Sequence, residues 1–318
     1  MGGAALLGTV QLGGAAIDLT YKGYFNGGHE YQTNDQIRMF YFANETVVRG
    51  DNDLTGTPYG GNSGNGTNGT AGYVLKNQEA APTYSAGQVD RITYATDVAA
   101  QISDTMDSPT RASMAYFADD ATAFYALGGS TTSYRSEINK CALPSETEST
   151  HNDTLNRPSG HGGGMADNTT AGYQVGGYSG TQPGVDSIDR MVFSSGTVST
   201  INDTSEEGAY WVKCTSDHDG RTGYMTHGTS GEELDEIDFT TDTVSLSTPF
   251  STASIAAHTG LITDNGVAMY AGGGTGARGQ VWKKVYSTGT NSTALADGSI
   301  PEAQYNYFCC ENHESSIA

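Results

Sequence analysis

Short alternating runs of apolar and polar residues return along this chain at a long, regular interval. The anchor is a Tyr followed closely by paired glycines. It occurs as Tyr24-Phe25-Asn26-Gly27-Gly28, Tyr125-Ala126-Leu127-Gly128-Gly129, Tyr173-Gln174-Val175-Gly176-Gly177 and Tyr270-Ala271-Gly272-Gly273-Gly274. Two degenerate copies, Tyr73-Val74-Leu75-Lys76-Asn77 and Tyr224-Met225-Thr226-His227-Gly228, fill the gaps. The six Tyr are spaced by 49, 52, 48, 51 and 46 residues. A second motif follows each Tyr: Val89-Asp90-Arg91-Ile92-Thr93-Tyr94, Ile188-Asp189-Arg190-Met191-Val192-Phe193 and Leu234-Asp235-Glu236-Ile237-Asp238-Phe239, with weaker copies from Ile37, Ile138 and Val281. Apolar residues at its first, fourth and sixth places predict a strand carrying a bulge or register change.

A Thr/Ser/Val segment such as Thr243-Val244-Ser245-Leu246 comes next and predicts a further strand. Before each Tyr lies a strand of small residues, such as Ala112 to Phe117 or Ile255 to Ile262, ending in a polar turn. The turn residues, Asp119-Asp120, Asp167-Asn168, His218-Asp219 and Asp264-Asn265, tolerate left-handed backbone and bond their own main chain. Each period is thus four short strands, and four antiparallel strands per 40–50 residues predict a propeller blade. The paired glycines fit an inner strand end where blades crowd a central channel. A β-solenoid or fibre shaft is the alternative.

The C-terminus carries one more first strand. Glu207, Tyr210, Cys214, His218 and Asp219 align with Glu302, Tyr305, Cys309, His313 and Glu314. The chain therefore ends on a first strand and opens, after about 20 residues, on the second strand of Tyr24. The expectation is an all-β, six-bladed propeller over residues 21–318, closed by strand 303–313 joining the blade of residues 22–50. Residues 1–20, Gly/Ala-rich with Leu6, Leu7 and Val10 and without charge through Gly14, are left as an N-terminal arm, either anchoring or a competing edge strand or tail.

Composition narrows function. Of 318 residues, 43 are Gly, 36 are acidic and 15 basic, for a net charge of −21. Nucleic acid, whose phosphates need Lys and Arg, is a poor partner, as is an anionic membrane surface. No run approaches the length of a spanning helix, so membrane insertion is not expected. Nineteen Tyr, nine Phe and two Trp argue against disorder. The start, Met1-Gly2-Gly3-Ala4-Ala5-Leu6-Leu7-Gly8, lacks the basic region of a secretory signal. Four Cys (141, 214, 309, 310) are too few for a disulfide scaffold, and reduced thiols are expected.

The pattern resembles the kelch-type repeat, whose strand ends in a double glycine, although its Trp is missing from most copies. Asn168-Thr169-Thr170-Ala171-Gly172-Tyr173-Gln174-Val175-Gly176-Gly177 and Ile188-Asp189-Arg190-Met191-Val192-Phe193-Ser194-Ser195 are similar to degenerate kelch-like repeats in virion proteins of tailed phages, especially those of marine cyanobacteria. Asn68-Gly69-Thr70-Ala71-Gly72-Tyr73 and Phe239-Thr240-Thr241-Asp242-Thr243-Val244-Ser245 repeat the theme. The resemblance implies a virion appendage: a tail fibre, tail-tip adhesin or capsid decoration. Its partners would be other virion proteins and a host-surface glycan or receptor, with a homo-oligomer among the options.

Candidate chemistry is sparse, and the expectation is a non-enzymatic protein without catalytic residues, cofactor or metal. Arg111 and Arg157 precede first strands, yet no Asp-box turn accompanies them as in sialidase-like propellers. Cys309-Cys310 with His313, and Cys214 with His218, have loosely ligand-like spacing that the repeat itself explains. His161 stands before three glycines, as a strand near the axis would have it. Asp51-Asn52-Asp53 and Asp217-His218-Asp219-Gly220 offer oxygens but lack the rest of a calcium loop, and read as solvated turns. Gly272-Gly273-Gly274-Thr275-Gly276 has no Gly-Lys-Ser/Thr and no following helix, so it is no phosphate loop. Asn44, Asn65, Asn68, Asn152, Asn168, Asn202 and Asn291 are chance sequons of Thr- and Asn-rich turns. The competing readings are a glycan-degrading hydrolase on the same scaffold and a secreted adhesion glycoprotein.

Overall fold

The computed structural model describes residues 21–27, 29–30, 32–33, 35–55, 63–67, 69–76, 79–80, 83–84, 88–102, 115–119, 122–129, 133–143, 145–167, 169–180, 185–209, 212–217, 220–226, 234–247, 259–264, 267–273, 280–296 and 308–312. The 1–20 segment lies outside them. The described chain is all-β and forms a six-bladed propeller. Blade one has Lys22–Asn26, Gln36–Tyr41 and Thr46–Asp53 as its second, third and outer strands. Its inner strand is Phe308–Asn312, from the far end of the sequence, in antiparallel register from Lys22↔Asn312 to Asn26↔Phe308. The predicted closure is therefore present; residues 303–307 and 313 of the expected strand lie outside the described residues.

Blades three to six repeat the four-strand order within themselves: Ala115–Asp119 to Thr147–Thr150, Gly163–Ala166 to Val198–Ala209, Lys213–Ser216 to Thr243–Ser247, and Thr259–Asp264 to Thr290–Leu295. Blade two departs from this. Its second, third and outer strands are Ala71–Lys76, Gln88–Thr93 and Val98–Gln101, and its inner strand, Ser63–Asn65, pairs sideways and in parallel with Ala115–Asp119 and with Cys309. That strand also lies against the inner strands of blades four and five. Backbone thus occupies the axis at this level, where a channel was expected. Only glycine fits here: a Cβ on Gly64 would sit 1.7 Å from the Tyr116 carbonyl oxygen, and one on Gly164 would sit 2.5 Å from it.

The core is divided among the six seams between blades. Each of the six hydrophobic clusters joins two neighbours, so each blade buries both faces. This explains the one-four-six pattern without the bulge it suggested. Gln88–Thr93 pairs with Ala71–Lys76 in unbroken register. Val89 packs toward blade three while Ile92 and Tyr94 pack toward blade one. Residues three apart in a strand face opposite ways, and both directions are apolar here. Register shifts do occur, but against the outer strands, as between Gln36 and Arg38.

In three of the four copies, all but that of Gly272-Gly273, the double glycines also have a different cause from the expected crowding at the axis. They follow the second strand, and Gly27, Gly128, Gly129, Gly176 and Gly177 have φ of 59°, 66°, 100°, 60° and 112°. That left-handed backbone turns the chain out of the blade, and only glycine adopts it at low cost.

The two faces are unlike. Inner-to-second and third-to-outer strands are joined by three to five residues on one face. The connections on the opposite face run to seven to thirteen residues, except at 210–212, where the outer strand of blade four is prolonged.

Candidate functional site

The seams between blades carry a recurring set of aromatic and polar contacts, built from the repeat. The anchor Tyr of each blade meets the sixth-place residue of the next blade's third-strand motif. Tyr24 stacks on Tyr94, Tyr125 on Phe193, Tyr173 on Phe239 and Tyr224 on Tyr286, with ring centroids 5.4, 5.6, 4.9 and 5.0 Å apart. Tyr270 and Phe42 lie at 5.4 Å, tilted, and Tyr73 shares its cluster with Leu143. Such pairs add roughly 1 kcal/mol beyond the area they bury.

Three residues past that sixth place is the left-handed residue of the tight turn. In four blades it is an acid, Glu45, Asp97, Glu146 or Asp242, with φ of 52°, 56°, 54° and 54°. In two it is Gly196 or Gly289. Each acid reaches back to the preceding blade. Asp97 accepts from Tyr24 Oη at 2.7 Å and Lys22 Nζ at 2.7 Å. Asp242 accepts from Tyr173 Oη at 2.8 Å, with Arg190 Nε 3.5 Å away. Glu146 takes Arg91, and Glu45 takes Lys283 at 2.5 Å and Tyr270 at 3.5 Å. Where Gly196 stands, a Cβ would meet His151 Nε2 at 2.8 Å; that ring lies edge-on to Tyr125 instead. Burial pushes the Tyr173 hydroxyl well above its usual range, so it remains a donor to Asp242.

The motif's buried second-place acids tie connections down. Asp90 accepts from the backbone N–H of Thr55 at 2.7 Å and its hydroxyl at 2.5 Å, and Asp189 from the Asn156 N–H at 2.8 Å. The hairpin acids serve turns: Asp119 accepts from Ala123 N–H at 2.7 Å, Asp167 from Thr170 N–H at 2.7 Å and Asp217 from Thr222 N–H at 2.9 Å. In blade five the acting turn residue is thus Asp217; the expected His218-Asp219 lie outside the described residues.

The remaining sequence candidates fall apart in space. Arg157 is exposed in a long connection, and Arg111 lies outside the described residues. Asp51, Asn52 and Asp53 are exposed on an outer strand and not in a turn. Cys141, Cys214 and Cys309 are buried free thiols, and burial raises the Cys214 pKa, which keeps it protonated. His313 is outside the described residues. His161, with φ 62°, has a pKa lowered by burial to about 4, with Lys213 adding to the shift. Among the described residues, no group of three or more His, Cys, Asp or Glu could hold a metal ion. Gly272 and Gly273 end the strand Ala268–Gly273, and Gly274, Thr275 and Gly276 lie outside the described residues.

One concavity joins these parts. Between blades four and five, at the tight-turn end of the outer rim, a cleft of about 480 Å³ is lined by Arg190, Ser199, Ile201, Asp203, Asp242 and Thr243 among others. Its walls belong to two blades, so neither repeat contains it and no single motif announces it. Asp203 is held by two bonds, from Thr204 N–H at 3.0 Å and Val244 N–H at 2.7 Å, the second crossing the seam. No protein family and no curated protein matches the sequence.

Proposed function

We propose that this chain is a non-enzymatic virion protein of a tailed phage, a kelch-like propeller serving as tail fibre, adhesin or capsid decoration. The observation that carries the reading is the division of labour between the two faces. Long connections crowd one face, and loops on a rigid scaffold are the usual place for recognition. Lys22 and Asn312, at the two ends of the described chain's first and last strands, lie side by side on the other face. A protein tethered there to a particle presents its long-loop face outward, toward a host-surface glycan or receptor. The resemblance of the repeats to phage virion proteins points the same way.

Charge agrees with a multicopy role. Lys22, Arg91, Arg190 and Lys283 are drawn into seams, which leaves acid in excess on the surface of a chain of net charge −21. Copies arrayed on one particle then repel rather than aggregate. Cryo-EM of purified particles of the encoding phage tests the reading. Six-bladed density with the long-loop face outward is expected. A chain missing from the particles, or one whose long-loop face is buried against them, overturns it.

A further inference from the structure

We infer that the cleft between blades four and five is a binding site for an uncharged saccharide, on the rim opposite the long-loop face and independent of any virion role. The argument begins with hydrogen-bonding capacity left over from the seam. At the equivalent seam between blades two and three, Arg91 meets Glu146 through a terminal amino group, Nη1. Asp242 is one methylene shorter. Arg190 therefore meets Tyr173 and Asp242 through Nε, at 3.2 and 3.5 Å, and among the described residues its two terminal amino groups take no hydrogen-bond partner and face the cleft they line. Asp242 spends Oδ1 on Tyr173 and Arg190, which leaves Oδ2. A guanidinium edge beside a carboxylate oxygen is a donor–acceptor pair of fixed geometry, and vicinal hydroxyls present the complementary pair.

The walls extend the same chemistry. Ser199 pairs directly across from Arg190 in the register, so the two side chains share a face of the blade. Thr243 supplies a further hydroxyl, and Ile201 a half-buried apolar surface for the C–H face of a ring. Charge selects against anions. Asp203 and Asp242 outnumber Arg190 in the lining, and the chain as a whole carries −21. A phosphate, sulfate or sugar acid would enter against that field; a neutral pyranose would not. The volume, about 480 Å³, lies within the range of small-molecule sites.

The test is saturation-transfer NMR titration of the whole protein with methyl α-mannopyranoside, methyl β-galactopyranoside, N-acetylglucosamine and N-acetylneuraminic acid, with inorganic phosphate added as a competitor. At least one neutral sugar should bind saturably. Ser199→Tyr should weaken that binding at least tenfold with an unchanged melting temperature. The control is Ser149→Tyr, the matching outer-strand position opposite Lys140 in blade three, where the next turn carries Gly196 in place of an acid. It should leave binding within twofold. No saturable neutral sugar, tighter binding of the sialic acid or phosphate, or indifference to Ser199→Tyr would overturn the inference.

Discussion

Removing the last strand tests how this propeller is held shut. Phe308–Asn312 supplies the inner strand of blade one through five residue pairs. At about 1 kcal/mol net per ladder bond, the lost pairing costs about 5 kcal/mol. Its removal also uncovers Phe25, which is fully buried, and takes Cys309 out of the seam between blades six and one. That loss contributes about 2 kcal/mol more. Together these amount to about 7 kcal/mol, against a total stability of about 5–15 kcal/mol for an ordinary domain. A chain ending at residue 304 should therefore lose its cooperative melting transition and bind a hydrophobic dye. A synthetic peptide of residues 305–315, added in excess, should restore the transition by mass action. Differential scanning calorimetry with far-UV circular dichroism reads both. A truncated chain that melts cooperatively within about 5 °C of the parent would refute the closure energetics, since a deficit this large lowers the midpoint by more than that.

Gly164→Ala places a methyl group 2.5 Å from the Tyr116 carbonyl oxygen on the axis; a loss of about 3 kcal/mol is expected in urea titration, and a loss under 1 kcal/mol would mean that the axis yields. Tyr173→Phe removes the hydroxyl that donates to Asp242 and accepts from Arg190; about 1–2 kcal/mol should go, while the ring stack on Phe239 remains. His161 has a folded pKa near 4, against an ordinary value of 6.5. Above pH 6.5 both folded and unfolded states hold it neutral; below, the unfolded chain takes up the proton first, so this residue's contribution to stability falls from pH 6.5 down to about 4. His161→Asn, which tolerates the left-handed backbone, should make the urea midpoint less dependent on pH across that window, and identical pH slopes would show that the ring is not buried neutral.

Much of the fold was legible because the blade is a repeat. The anchor Tyr and the sixth-place aromatic recur at fixed offsets, and they make the same stack in four seams. The closing strand was legible for the same reason, since Tyr305 and Cys309 repeat Tyr210 and Cys214. Two physical points were hidden. Position one of the third-strand motif faces one neighbour and positions four and six the other, and a sequence does not say that both faces of a sheet are covered. The parallel pairing of Ser63–Asn65 on the axis depends on four other blades at once. The seam acids did leave a trace, because Glu45, Asp97, Glu146 and Asp242 all stand three residues past the sixth place. The rim cleft left none, since Arg190 and Asp242 are 52 positions apart and meet only when two blades close on each other.

The side-by-side exit of Lys22 and Asn312 has a mechanical consequence. In blades three to six a tight turn links inner and second strands at that point, but in blade one the paired residues there, Lys22 and Asn312, are not joined to each other by a turn. Tension that draws those two residues apart loads the five pairs one after another, from Lys22↔Asn312 inward, so the ring unzips at low force. Tension applied through one end alone bypasses the ladder's sequential opening and spreads into the neighbouring strands. A propeller of this construction resists drag best when it hangs from a single terminus.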